Sequence, residues 1–87
     1  MTNINIYCLF DGDDHLHGVY SSIKAVHRDA VQLCNRGMSA VYMRDKSGTH
    51  KPSATLLRNV LKGEIDVKVR YFSDAQVVTI LKTGLKE

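Results

Sequence analysis

Two hydrophobic periods take turns along this chain, and that exchange constrains its fold more than any other feature. Residues 3–10 read with a period of two, Ile4, Ile6, Cys8 and Phe10 on one side and Asn5, Tyr7 and Leu9 on the other. A strand points successive side chains to opposite faces, so the segment reads as a strand with Ile4, Ile6, Cys8 and Phe10 toward the core. Asp11-Gly12-Asp13-Asp14 supplies turn chemistry, and His15 to Tyr20 is the return strand of a hairpin. The period then changes. Ser21-Ser22 is placed to cap a helix whose apolar positions are Ile23, Val26, Ala30, Leu33 and Cys34, with Gly37 as its stop.

The same exchange recurs downstream. Ala40 to Arg44 alternates as a strand, Val41 and Met43 against Tyr42 and Arg44. Ser53 caps a second helix through Leu56, Leu57, Val60 and Leu61, ended by Gly63. Asp66 to Phe72 sets Val67, Val69 and Tyr71 against Lys68, Arg70 and Phe72. Ser73-Asp74-Ala75-Gln76 has capping-box spacing, which predicts a third helix over 74–83; a closing strand from Val77 to Leu81 is the alternative. The expected fold is therefore α+β, in the order ββαβαβα, with helices packed on one face of a four-stranded sheet. At 87 residues the whole chain, 1–87, fits one domain with a modest core.

Composition excludes several classes. Hydrophobic residues at 44% and charged residues at 24% are globular values rather than those of a disordered tail. No apolar run approaches the ~18 residues that span a bilayer. The first residues lack the basic region and apolar stretch of a secretory signal, and two cysteines fit a reducing cytosol, so a cytoplasmic protein without a membrane partner is expected.

Charge is unevenly distributed. Residues 1–43 carry three cations against four anions, net −1, whereas residues 44–87 carry nine against five, net +4. The second half is thus expected to meet something anionic. If the three central strands are neighbours, Tyr7, Tyr42, Arg44, Lys68 and Arg70 share the sheet face away from the helices. Phenol rings stack on bases while cations offset phosphate charge, the combination a single-stranded nucleic acid needs. A solvated or dimerising face has a similar composition. The loop from Arg44 to Lys51 adds Lys46, His50 and Lys51 before the helix at Ser53, whose free N–H groups attract anions; it does not match the phosphate-loop signature.

Two catalytic readings are weaker. Asp13, His15 and His17 alternate and would put a carboxylate and two imidazoles on one face, but acidic turn residues followed by surface histidines explain them without a metal. Cys8 and Cys34 fall on predicted core faces, where a thiol is a small hydrophobe rather than a nucleophile. Neither a cofactor, a metal nor an enzymatic activity is expected.

The run Ile4-Asn5-Ile6-Tyr7-Cys8-Leu9-Phe10-Asp11, followed by His17-Gly18-Val19-Tyr20-Ser21-Ser22 and a helix containing Ala25, resembles small tailed-phage proteins in which a hairpin delivers a Gly-Val-Tyr/Phe-Ser-Ser turn to the first helix. With its size and basic second half, the chain resembles T-even-type phage early proteins that counter host defence, among them inhibitors of ToxN-type endoribonuclease toxins. The resemblance covers about the first 35 residues and implies a non-enzymatic inhibitor in the host cytoplasm that binds RNA and the toxin together; it assigns no residue a role. On the alternation argument, Arg44, Lys46, Lys51, Lys68 and Arg70 would hold phosphates while Tyr7 and Tyr42 stack or pack. The competing expectation is an RNA-independent module that occludes a host protein or forms a homodimer.

Overall fold

Serine hydroxyls start both helices. Ser22 accepts the N–H of Ala25 at 3.3 Å and opens α1 (Ile23–Cys34); Ser53 accepts the N–H of Leu56 at 3.4 Å and opens α2 (Ala54–Leu61). Each bond satisfies one of the donors that a first helical turn leaves free. Val26, Ala30, Leu33 and Cys34 of α1 and Leu57 and Leu61 of α2 recur at three- and four-residue spacing and are buried together.

The computed structural model describes residues 4–35, 40–45, 48–62, 67–74 and 76–85. Within them lie six strands: β1 (Ile4–Phe10), β2 (Leu16–Tyr20), β3 (Tyr42–Asp45), β4 (Gly48–His50), β5 (Val67–Phe72) and β6 (Val77–Leu85). They form one antiparallel sheet in the order β2-β1-β6-β5-β3-β4. The domain remains α+β, but the expected four-stranded sheet with three helices is overturned. Strand β4 arises inside the segment read as a basic loop, and the segment read as a third helix is the strand β6.

The β6 error has a local cause. Ser73 Oγ does accept the N–H of Gln76 at 3.3 Å, as a capping box requires. The Ser73 N–H, however, donates to the Gln76 carbonyl at 2.9 Å and closes a turn between β5 and β6. The same serine hydroxyl donates to the Cys34 carbonyl at 2.7 Å, fastening the turn to the end of α1. Beyond it, Val77, Val78, Thr79 and Ile80 are β-branched, a run that fits a pleated sheet better than a helix. The expected stops at Gly37 and Gly63 lie outside the described residues.

The buried side of the sheet carries Tyr7 and Leu9 of β1, Val78 and Ile80 of β6, Val69 and Tyr71 of β5, and Met43 of β3. This reverses the sequence reading of β1: Tyr7 is only 6% exposed and Leu9 fully buried, whereas Ile6, Cys8 and Phe10 point to the other side and are partly exposed. Both parities of this strand are apolar, so alternation alone does not choose between them, and a one-residue shift exchanges every side chain. At the β1–β2 end the register moves from Leu9↔Gly18 to Phe10↔Leu16, a bulge that accommodates His17. Gly18 sits under the ring of Tyr20, where an added Cβ would come within 2.9 Å of the phenol oxygen. That ring leads to α1: the Tyr20 hydroxyl donates to Asp29 Oδ2 at 2.6 Å. Burial and this carboxylate push the Tyr20 pKa up to about 12.

Lys82 and Tyr71 carry polar groups into the core and find partners there. Lys82, 5% exposed, donates from Nζ to the carbonyl of Leu61, placing a cation at the negative end of α2. Tyr71, wholly buried, meets His27 Nδ1 at 2.6 Å. Burial lowers the His27 pKa below its ordinary 6.5, so the ring is neutral at pH 7 and its Nδ1 accepts the tyrosine proton. An unfolded chain takes up this proton as pH falls through about 6.5, while the folded one resists to a lower pH. The contribution is complete above 6.5 and is lost as pH falls through the lower folded value. Thermal denaturation should accordingly show a lower midpoint at pH 5 than at pH 7.5, with a flatter dependence in His27→Gln; an unchanged slope in that variant would place the effect elsewhere. No helix among the described residues is long and apolar enough to cross a membrane.

Candidate nucleic-acid interface

The face of the sheet opposite α1 and α2 is organised in rows. One row crosses all six strands: Leu16, Phe10, Thr79, Arg70, Arg44 and Thr49 stand opposite one another in turn. A neighbouring row runs Val19, Cys8, Leu81 and Lys68, and on the other side Val77, Phe72 and Tyr42 form a third. The strand order thereby divides the face. Its β2–β1–β6 side is apolar, with Leu16 56% and Val19 57% exposed, and its β5–β3 side is cationic and aromatic.

The cationic side is arranged closely. Arg44 and Arg70 are direct cross-strand partners, and like charges so placed destabilise a sheet. Neither arginine, nor exposed Lys68, is ion-paired among the described residues. Arg44 instead lies over the ring of Phe72, 5.5 Å from its centroid, a cation–π contact. Phe72 in turn packs beside Tyr42 with centroids 5.8 Å apart and planes inclined by 31°. Tyr42 is exposed and Phe72 half-buried, so the pair offers ring surface to solvent next to two guanidinium groups. Arg44, Arg70, Phe72 and Val77 together line a shallow cleft of about 200 Å³.

The structure brings together Tyr42, Arg44, Lys68 and Arg70 as the alternation of β3 and β5 required. It does not bring Tyr7, which faces the core for the reason given above. Lys51 is exposed beyond β4, and Lys46 lies outside the described residues. His50 points to the helix side of β4, where Nε2 meets Asp45 Oδ1 at 3.3 Å. Phe72, Phe10, Thr79 and Leu81 were missed as members of this face. The signal for Phe72 was present, since it shares the parity of Lys68 and Arg70 in one strand; Phe10 was lost with the parity of β1, and Thr79 and Leu81 with the misread helix.

The opposite sign of charge collects at one end of the molecule. Asp11, Asp13 and His15 bring ligand-type atoms within 4.8 Å of one another. This set differs from Asp13, His15 and His17, the trio that strand alternation alone would group, because the bulge removes His17. Its clustering follows from turn construction: Asp11 Oδ1 accepts the N–H groups of Asp13 at 2.9 Å and His15 at 3.0 Å. Those bonds, the His15 N–H first, hold the Asp11 pKa below its ordinary value. Asp11, Asp13 and Asp74 also line a cleft of about 640 Å³ at this end, an acidic surface that repels polyanions. The buried Cys34 thiol is pushed up to about 11 by desolvation and is a poor nucleophile at neutral pH.

No known protein family, curated protein or solved structure matches this chain.

Proposed function

We propose that this chain is a non-enzymatic protein that binds single-stranded RNA on the open face of its sheet. The observation that carries the reading is the Arg44–Arg70 pair, opposed across two strands without an anionic partner among the described residues and flanked by the Phe72 and Tyr42 rings. A phosphodiester laid along β5 and β3 relieves the repulsion between the guanidinium groups, while Lys68, two residues before Arg70, extends the cationic track along β5. Bases of an unpaired strand reach the two rings, and each stack is worth ~1–3 kcal/mol. A duplex keeps its bases inside and gains only the charge term.

Fluorescence anisotropy of a labelled uridine octamer across a salt series tests this. Neutralising about three phosphates predicts a log–log slope near −2, so affinity falls about 20-fold between 50 and 200 mM salt. A slope near zero, or no binding at low salt, removes the proposal.

The exposed Leu16 and Val19 favour a second contact beside the first, with protein rather than RNA. In this reading a partner sits along β2, adjacent to the RNA on the same sheet. The early-phage resemblance of the opening residues makes a host ribonuclease toxin, held together with its RNA, the partner to try. Capture that survives ribonuclease treatment would assign the contact to protein alone, as in an RNA-independent occluding module or a homodimer.

A further inference from the structure

We infer that the cleft at the Asp14 end of the open face is a nucleobase site that selects guanine within a bound single strand. The inference rests on the RNA reading above and names what that same face would choose. Phe10, Leu81 and Thr79 form the floor of this cleft, Lys68 and Arg70 one wall, and Asp14 the other; it encloses about 340 Å³, within the ~300–1,000 Å³ of small-ligand sites. It lies on the same rows as the Arg44–Arg70 pair, so a strand whose phosphates lie on the arginines passes its mouth.

Asp14 is the unexpected member. A carboxylate beside a phosphate track repels the backbone, yet Asp14 forms no ion pair with Lys68 or Arg70 that would cancel it. Its position is fixed by the turn: its N–H donates to the Asp11 carbonyl at 3.0 Å, and its φ of 61° is left-handed. An ionised carboxylate only accepts hydrogen bonds, so the group it selects must be a donor; in RNA the donors are the ribose 2′-OH and the base edges, and only a base edge presents two donors side by side. Guanine offers two adjacent donors, N1–H and the N2 amino group, which match the two oxygens of one carboxylate. Adenine and cytosine set their amino group beside an acceptor nitrogen, and uracil flanks its single N–H with two carbonyls; each leaves one carboxylate oxygen facing a lone pair. The apolar floor of Phe10 and Leu81 takes the base plane.

The test compares uridine octamers carrying a single guanosine, adenosine or cytidine at a central position. One bidentate base contact predicts that the guanosine octamer binds about tenfold more tightly than the all-uridine one. Asp14→Asn retains the left-handed backbone, which asparagine adopts readily, and should shrink that advantage to about twofold or less while raising affinity for the all-uridine octamer, since a repelling charge is gone. Asp74→Asn, an exposed aspartate lining the other cleft, should keep the guanosine advantage. If the all-uridine octamer binds but guanosine confers nothing, or if Asp14→Asn keeps the preference or Asp74→Asn abolishes it equally, the base site is wrong and RNA binding stands. If no octamer binds, both fall.

Discussion

Replacing Lys68 and Arg70 together by glutamate should weaken binding of a uridine octamer by more than about 100-fold. Each side chain is expected to make one charge-assisted hydrogen bond to phosphate, worth about 1.5 kcal/mol or more, and two such losses come to about 3 kcal/mol. The new carboxylates add repulsion. Both positions are exposed on the open face and neither supports the core, so the melting temperature of the double variant should stay close to that of the parent protein. Reversing Arg44 and Arg70 would set two carboxylates opposite each other in place of two guanidinium groups, keeping the like-charge repulsion, and is a less selective choice. A comparison with Arg58→Glu and Lys62→Glu, exposed at the end of α2, separates a local site from bulk charge. Equal losses from both double variants would mean that net charge rather than the sheet face governs the affinity.

The second large effect concerns β1. Leu9→Ala removes a fully buried side chain from the centre of the core, which predicts a loss of about 3 kcal/mol. For a domain of this size that lowers the thermal midpoint by roughly 15 °C. Phe10→Ala, one residue along, deletes a larger but only partly buried ring from the open face and should cost about 1 kcal/mol. Its main effect should be on RNA affinity. The order of the two stability losses reads out which side of β1 meets the helices, and Phe10→Ala proving the more destabilising would reverse the face assigned to this strand.

The first experiment bears on a strand whose faces were legible in the sequence, the second on one whose faces were not. Strand β5 was legible because its two sides differ in kind: valines and Tyr71 against Lys68, Arg70 and Phe72. Both helices were legible from a serine cap followed by apolar residues at helical spacing. Strand β1 was legible as a strand but not in its orientation, because a sheet with an apolar patch on its open side gives β1 no polar parity to mark solvent. The Ser73–Gln76 bond failed as a helix signal because a tight turn uses the same side-chain geometry. Register across strands decided the rest. That β6 lies between β1 and β5 cannot be read from local pattern, yet it sets Phe10 and Thr79 beside Arg70 and so creates the cleft below Asp14.

The charge asymmetry of the sequence was real but overstated the site. Of the nine cations after residue 43, Lys82 is buried under α2, and Arg58 and Lys62 belong to that helix and its end. Arg44, Lys68 and Arg70 are the ones the described sheet gathers on its open face. Position, more than the count, makes the polyanion argument.

The central claim is that RNA lies on the open sheet face, and titrating isotopically labelled protein with a uridine octamer while following backbone amide resonances tests it most directly. Shifts concentrated at Tyr42, Arg44, Lys68, Arg70 and Phe72, with α1 and α2 unmoved, are the predicted result. Shifts confined to the helices or to the acidic turns around Asp11 and Asp74 would contradict it.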